Sequence, residues 1–168
     1  MKALPHPDNL YLDAATGWLM LGDPKSAMEE LERLSKPSRS RPEVLEMEWS
    51  VHALLQSWKE AYTVADRLVG SAPQLASGWI HRAYSARRMP GGGLEQAWEV
   101  LRPAYEKFPS EEVIAYNLAC YAAQLGRLKE AWEWLERAGK AAGSLEVIKK
   151  RALADNDLEG LWPKLAGL

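Results

Sequence analysis

"GRLKEAWEWLERA", residues 126–138, sets Leu128, Ala131, Trp132, Leu135 and Ala138 on one apolar stripe at helical spacing, with Lys129, Glu130, Glu133 and Arg137 on the other side. A glycine opens it. "GDPKSAMEELERL", residues 22–34, also opens on glycine and matches it at seven of thirteen places. The chain therefore writes one amphipathic helix at least twice, and the spacing of the copies shows what lies between them.

Ala27 and Ala131 are 104 residues apart, and Ala61 in "KEAY" with Ala97 in "QAWE" divides that distance into steps of 34, 36 and 34. The same steps relate Leu31, Ala65, Leu101 and Leu135, and again Leu34, Leu68, Ala104 and Ala138. A fourth column, Ala15, Trp49, Ala83 and Ala119, precedes the next alanine by 12, 12, 14 and 12 residues. The two extra residues thus fall between Ala83 and Ala97. There "RMPGGGLE", residues 88–95, supplies a proline and three glycines, the composition of an enlarged, flexible turn. Gly22 and Gly126 suit the left-handed residue that ends a helix, a place held by Gln56 in the second copy.

A period of about 34 residues, with small residues where two helices cross and Pro73 and Pro109 closing units, resembles the tetratricopeptide repeat over residues 8 to 142. The fourth unit, "YNLACYAAQLGRLKEAWEWLERA" (116–138), carries the Asn-Leu-Ala start, the Leu-Gly turn, Ala131 and Ala138 in order. Trp49 departs from the pattern, since the family prefers Gly or Ala there. The tail "ALADNDLEGLW", residues 152–162, resembles the segment that closes many bacterial arrays of this kind.

The resemblance implies an all-α fold: a right-handed superhelix of four antiparallel helix hairpins over residues 8–41, 42–75, 76–111 and 112–143, with a C-terminal cap over 144–168, all in one domain spanning 1–168. Each hairpin has an inner helix, apolar nearly all round as in "EVIAYNLACYAAQL" (112–125), and an amphipathic outer one. The cap is expected to shield Trp134 and its neighbours from water. Pro103 is expected to kink or shorten the third outer helix. "SKPSRSRP", residues 35–42, reads as a solvated linker, with Ser38 and Ser40 among three basic residues as a candidate modification site.

Lys and Arg number 21 against 23 Asp and Glu, a net charge of -2, so no overall basic field draws the chain to nucleic acid or an anionic membrane. Cys120 is the one cysteine and forms no internal disulfide. No apolar run approaches the roughly 18 residues that span a bilayer, and "MKALPHPDNLYLD" has no apolar leader. These features predict a cytoplasmic protein.

His6, His52 and His81 stand in different segments, without metal-ligand spacing. "DNDLEG", residues 155–160, begins like a calcium loop, but Ala166 occupies the twelfth position, where a glutamate is needed. Asp157 there reads as a helix N-cap. The triple glycine lacks the Lys-Ser or Lys-Thr of a phosphate cradle. No nucleophile, base and orienting group form a signature, so no catalytic, cofactor-binding or metal residue is assigned and no cofactor is expected.

The resemblance implies a non-enzymatic interaction module, an adaptor or scaffold binding a peptide segment or protein partner in a concave groove lined by the inner helices. The expected groove residues are His81, Tyr84, Arg87, Arg88, Tyr116, Asn117 and Gln124. Tyr84 and Arg88 are one helical turn apart and set an aromatic ring beside a guanidinium that can hold a carboxylate. One alternative is an RNA-binding array like the pentatricopeptide proteins, which share the Tyr-Asn start and the Glu-Ala turn. The charge of -2 and the 34-residue steps weigh against nucleic acid. The other is a self-associating subunit, a homo-oligomer joined through exposed tryptophans.

Overall fold

The computed structural model describes residues 3–167, which contain ten α-helices, two 3₁₀ turns and no strand. The chain divides into two compact units, Met1–Gly91 and Gly92–Leu168. The division falls inside the "RMPGGGLE" insertion. Among the described residues no helix is long and apolar enough to cross a membrane.

The first unit holds α1 (Asp8–Met20), α2 (Pro24–Glu32), a 3₁₀ turn (Ser38–Ser40), α3 (Pro42–Leu54), α4 (Trp58–Ser71) and α5 (Ala76–Arg88). Pro24 and Pro42 sit in the first turns of their helices, where a missing N–H costs nothing. Asp23 caps α2, accepting from the Ser26 N–H at 3.1 Å and the Ser26 hydroxyl at 2.7 Å, and these bonds hold its carboxyl below the usual range.

The second unit holds α6 (Leu94–Lys107), α7 (Glu112–Gln124), α8 (Leu128–Ala141), α9 (Leu145–Ala152), a 3₁₀ turn (Asn156–Leu161) and α10 (Trp162–Ala166).

Three turns share one geometry. After α1 the Asp23 N–H reaches the Trp18 carbonyl at 2.9 Å, after α3 the Ser57 N–H reaches His52, and after α7 the Arg127 N–H reaches Ala122, both also at 2.9 Å. The residue before each donor is left-handed: Gly22 at φ 77°, Gln56 at φ 54° and Gly126 at φ 75°. Gln56 therefore takes the conformation that its two counterparts reach without a side chain.

The repeat columns are the core. Ala27, Ala61, Ala97 and Ala131, with Leu31, Ala65, Leu101, Leu135, Leu34, Leu68, Ala104 and Ala138, are each 5% exposed or less. Trp49 takes the place of an alanine by reaching past its own hairpin: its indole N–H donates to Ser85 Oγ on α5 at 2.9 Å.

Four local expectations are corrected. α6 is not shortened by Pro103, since it has 14 residues like α4 and α8; Pro103 is exposed, where water serves the carbonyl that loses its partner. The linker at 35–42 is not simply solvated: Ser38 is 3% exposed and donates to the Asp8 carboxylate, which also accepts from the Ser35 hydroxyl and the Ser35 N–H. Those bonds lower the Asp8 carboxyl below its usual range. The covering of Trp134 and its neighbours is shared and not the work of the cap alone: α6 sets Trp98 and Tyr105 edge-on to Trp134 at centroid distances of 5.9 and 4.8 Å, and the C-terminal segment sets Lys164 over the Trp132 ring. The cap before the second 3₁₀ turn is Asp155, whose carboxylate accepts from the Asp157 N–H at 3.0 Å, and not Asp157.

Candidate functional site

The first unit gathers aromatic rings and a guanidinium where α3, α4 and α5 meet. Trp49 projects from α3 because its column position faces the next helix. It lies flat on His81 of α5, centroids 3.7 Å apart and planes 8° from parallel, and meets Tyr84 edge-on at 6.0 Å. Trp58 opens α4 and comes within 5.7 Å of the Tyr84 ring, tilted 58° to it. Arg88, one turn beyond Tyr84, lays its guanidinium over the Tyr84 ring at 3.4 Å and near Trp58 at 5.5 Å. One Arg88 N–H donates to the Tyr84 carbonyl at 3.2 Å.

Position in the helix adds to this. Arg87 and Arg88 fall in the last turn of α5, where their charge complements the negative helix end. Tyr84 is 37% exposed, His81, Arg87 and Arg88 are half-buried, and Trp49 and Trp58 are half-buried beneath them. Burial pushes the His81 imidazole down to about 4, so it is neutral at physiological pH. The arrangement presents the partly exposed Tyr84 ring, braced edge-on by Trp49 and obliquely by Trp58, with a cation lying over it. Stacking fixes the guanidinium plane while its N–H edge stays available to a carboxylate.

The remaining expected groove residues lie in the second unit, where the chain's own C-terminal segment engages Tyr116 and Gln124. Tyr116 is 6% exposed, its hydroxyl donating to Asp155 at 3.0 Å and its ring lying under the Arg151 guanidinium at 3.6 Å. Burial first, with Cys120 and Asp155 beside it, raises the Tyr116 phenol above its ordinary range. Gln124 donates to the Asp157 carbonyl at 3.1 Å, and Asn117 is half-buried. The face of α7 carrying Tyr116, Cys120 and Gln124 is thus occupied by residues 155–157.

Two participants escaped the sequence reading. Trp49 could have been found, because a tryptophan in a column of alanines must project somewhere. Trp58 carries no such signal. Cys120, Asp155 and Asp157 bring a thiol and two carboxylates within 4.8 Å of one another. The Asp155 carboxylate already accepts from the Asp157 N–H, the Tyr116 hydroxyl and the Cys120 thiol, and this set ties the C-terminal segment to α7.

No protein-family model matches the sequence, and a search of curated proteins gives no match. Solved structures do match in fold. A MamA crystal structure superposes with a TM-score of 0.71 at 15% identity, over 83% of this chain and 80% of that one. MamA from Desulfovibrio magneticus RS-1, residues 41 to the end, gives 0.71 at 17% identity over 99% and 97%. TTC0263, a thermophilic tetratricopeptide repeat protein of Thermus thermophilus, gives 0.67 at 20% identity over 96% and 100%. The chain has the tetratricopeptide-like helical repeat fold.

Proposed function

We propose that this chain is a non-catalytic protein-interaction module that holds a peptide segment of a partner on the α5 surface built by Tyr84 and Arg88. The observation that carries the reading is the stacked guanidinium: Arg88 lies 3.4 Å over Tyr84, which is itself 37% exposed. An aromatic face and an oriented cation together suit a peptide with a carboxylate beside an apolar or aromatic side chain. The repeat fold supports the same reading, because stacked helical repeats serve as binding scaffolds in many unrelated settings.

The test is a peptide-display selection on the immobilised protein, counter-selected on the Tyr84→Ala/Arg88→Glu double variant. The reading expects enriched sequences that share an acidic residue near an aromatic or apolar one. Enrichment that is equal on parent and double variant contradicts it.

A further inference from the structure

The first inner helix leaves open a face that the other inner helices bury for the greater part. The repeat steps align Leu10 with Val44, Gly78 and Ile114, and Trp18 with His52, Ala86 and Ala122. Of those counterparts His52 is half-buried and the rest are buried, whereas Leu10 is 52% and Trp18 39% exposed; Leu21, at the helix end, is 77% exposed against 37% for its counterpart Leu55. Trp18 and Leu21, with Ala14, Gly17 and Glu30, line one shallow apolar depression on the first hairpin. Charge is also concentrated there. Residues 8–34 hold six acidic residues (Asp8, Asp13, Asp23, Glu29, Glu30, Glu32) against Lys25 and Arg33, a balance of -4; with -2 for the whole chain, the remainder is +2.

The second unit carries a surface of the opposite kind. Leu128, Trp132 and Leu161 floor an apolar pocket of about 420 Å³ between α8 and the 3₁₀ turn Asn156–Leu161, with Lys129, Lys164 and Glu133 at its rim. Leu128 is 42% exposed, and the Lys164 ammonium stands 3.7 Å over the Trp132 ring. Gly160 lets the turn approach so closely that a Cβ there would stand 2.7 Å from Leu128 Cδ2.

We propose that these two surfaces are partners in different molecules: the apolar end of α1 in one copy, Trp18 and Leu21, seats in the Leu128–Trp132–Leu161 pocket of a second copy, and the acidic first repeat faces Lys129 and Lys164. Charge decides the pairing. Joining α1 to α1 would set -4 against -4, and joining pocket to pocket would oppose the lysines, so like surfaces repel and unlike ones attract. The contact is heterologous, with each bound copy still offering one surface, so assembly extends into rings or chains of copies.

Sedimentation velocity across a concentration series up to roughly 100 μM at low salt tests this. The parent is expected to form species heavier than the monomer that grow with concentration and recede with salt. Leu21→Asp removes the apolar end of α1 and Leu128→Asp spoils the pocket. Both positions are exposed, and far-UV circular dichroism checks that each variant keeps its helicity. Each variant alone is expected to associate at least about tenfold more weakly, and Lys164→Glu at the rim to act in the same direction. An equimolar mixture of Leu21→Asp and Leu128→Asp has one good surface of each kind, and is expected to give dimers and nothing larger. A monomeric parent throughout the series, parent-like association of the variants, or a mixture that stays monomeric overturns the proposal.

Discussion

Trp49 on α3 lies flat against His81 on α5, 3.7 Å between ring centroids, in a place where three other repeats carry an alanine. The stack excludes water from the imidazole and holds it down to about 4, against 6.5 for an ordinary histidine. The unfolded chain takes up this proton as pH falls through 6.5, whereas the folded chain resists until about 4. Between those values the unfolded state binds more protons, so stability falls with falling pH, and below about 4 the loss is complete.

The parent is therefore expected to lose at most about 2 kcal/mol through this group between about pH 7.5 and about pH 5. His81→Phe keeps the stack without the titration, so its urea midpoint should drop less over the same interval. Equal drops in parent and variant would place the pH sensitivity elsewhere.

Ala131 has no exposed surface and sits where α7 and α8 cross. Ala131→Leu is expected to overpack that crossing and destabilise the protein by about 1 to 3 kcal/mol. Chemical denaturation measures it; an unchanged midpoint would mean that the crossing has room.

Gln56 adopts φ 54° after α3, where α1 and α7 end on glycine. Relief of this left-handed strain outweighs the entropy that glycine adds to the unfolded chain, so Gln56→Gly should stabilise by about 0.5 to 1 kcal/mol. Gly126→Ala should act in the opposite direction by a similar amount. Thermal melts of the two variants give the comparison.

Asp155 anchors the C-terminal segment through the Tyr116 hydroxyl, the Cys120 thiol and the Asp157 N–H. Asp155→Ala should cost about 1 to 3 kcal/mol by leaving the Tyr116 hydroxyl without its partner. Amide exchange should quicken in residues 153–162 before it quickens in α2 or α4. Uniform acceleration would show that this anchor is not local.

Repeat spacing made the fold legible because each column records one buried helix-crossing position, and burial tolerates only small or aliphatic side chains there. The turns after α1 and α7 were equally plain in Gly22 and Gly126. Long-range side-chain ties were not. Asp8 binding Ser35 and Ser38 joins residues 27 and 30 positions apart, and no periodicity marks such a pair. Tyr84 and Arg88 stood out by helical spacing, whereas the covering of Tyr116 depends on how the chain turns back after α9. That path is set by Leu158, Leu161 and Leu165, each 3% exposed or less, whose burial is a property of the folded segment and not of its local pattern.

The claim that the α5 surface is the recognition site is tested most directly by calorimetric titration, at low salt, of a selected acidic peptide into parent protein and into Arg88→Glu. Reversing a charge that the ligand meets and the core does not should weaken binding at least about tenfold, about 1.4 kcal/mol, while the urea midpoint stays nearly unchanged. Equal affinity for parent and variant would contradict the account and place peptide recognition on another surface.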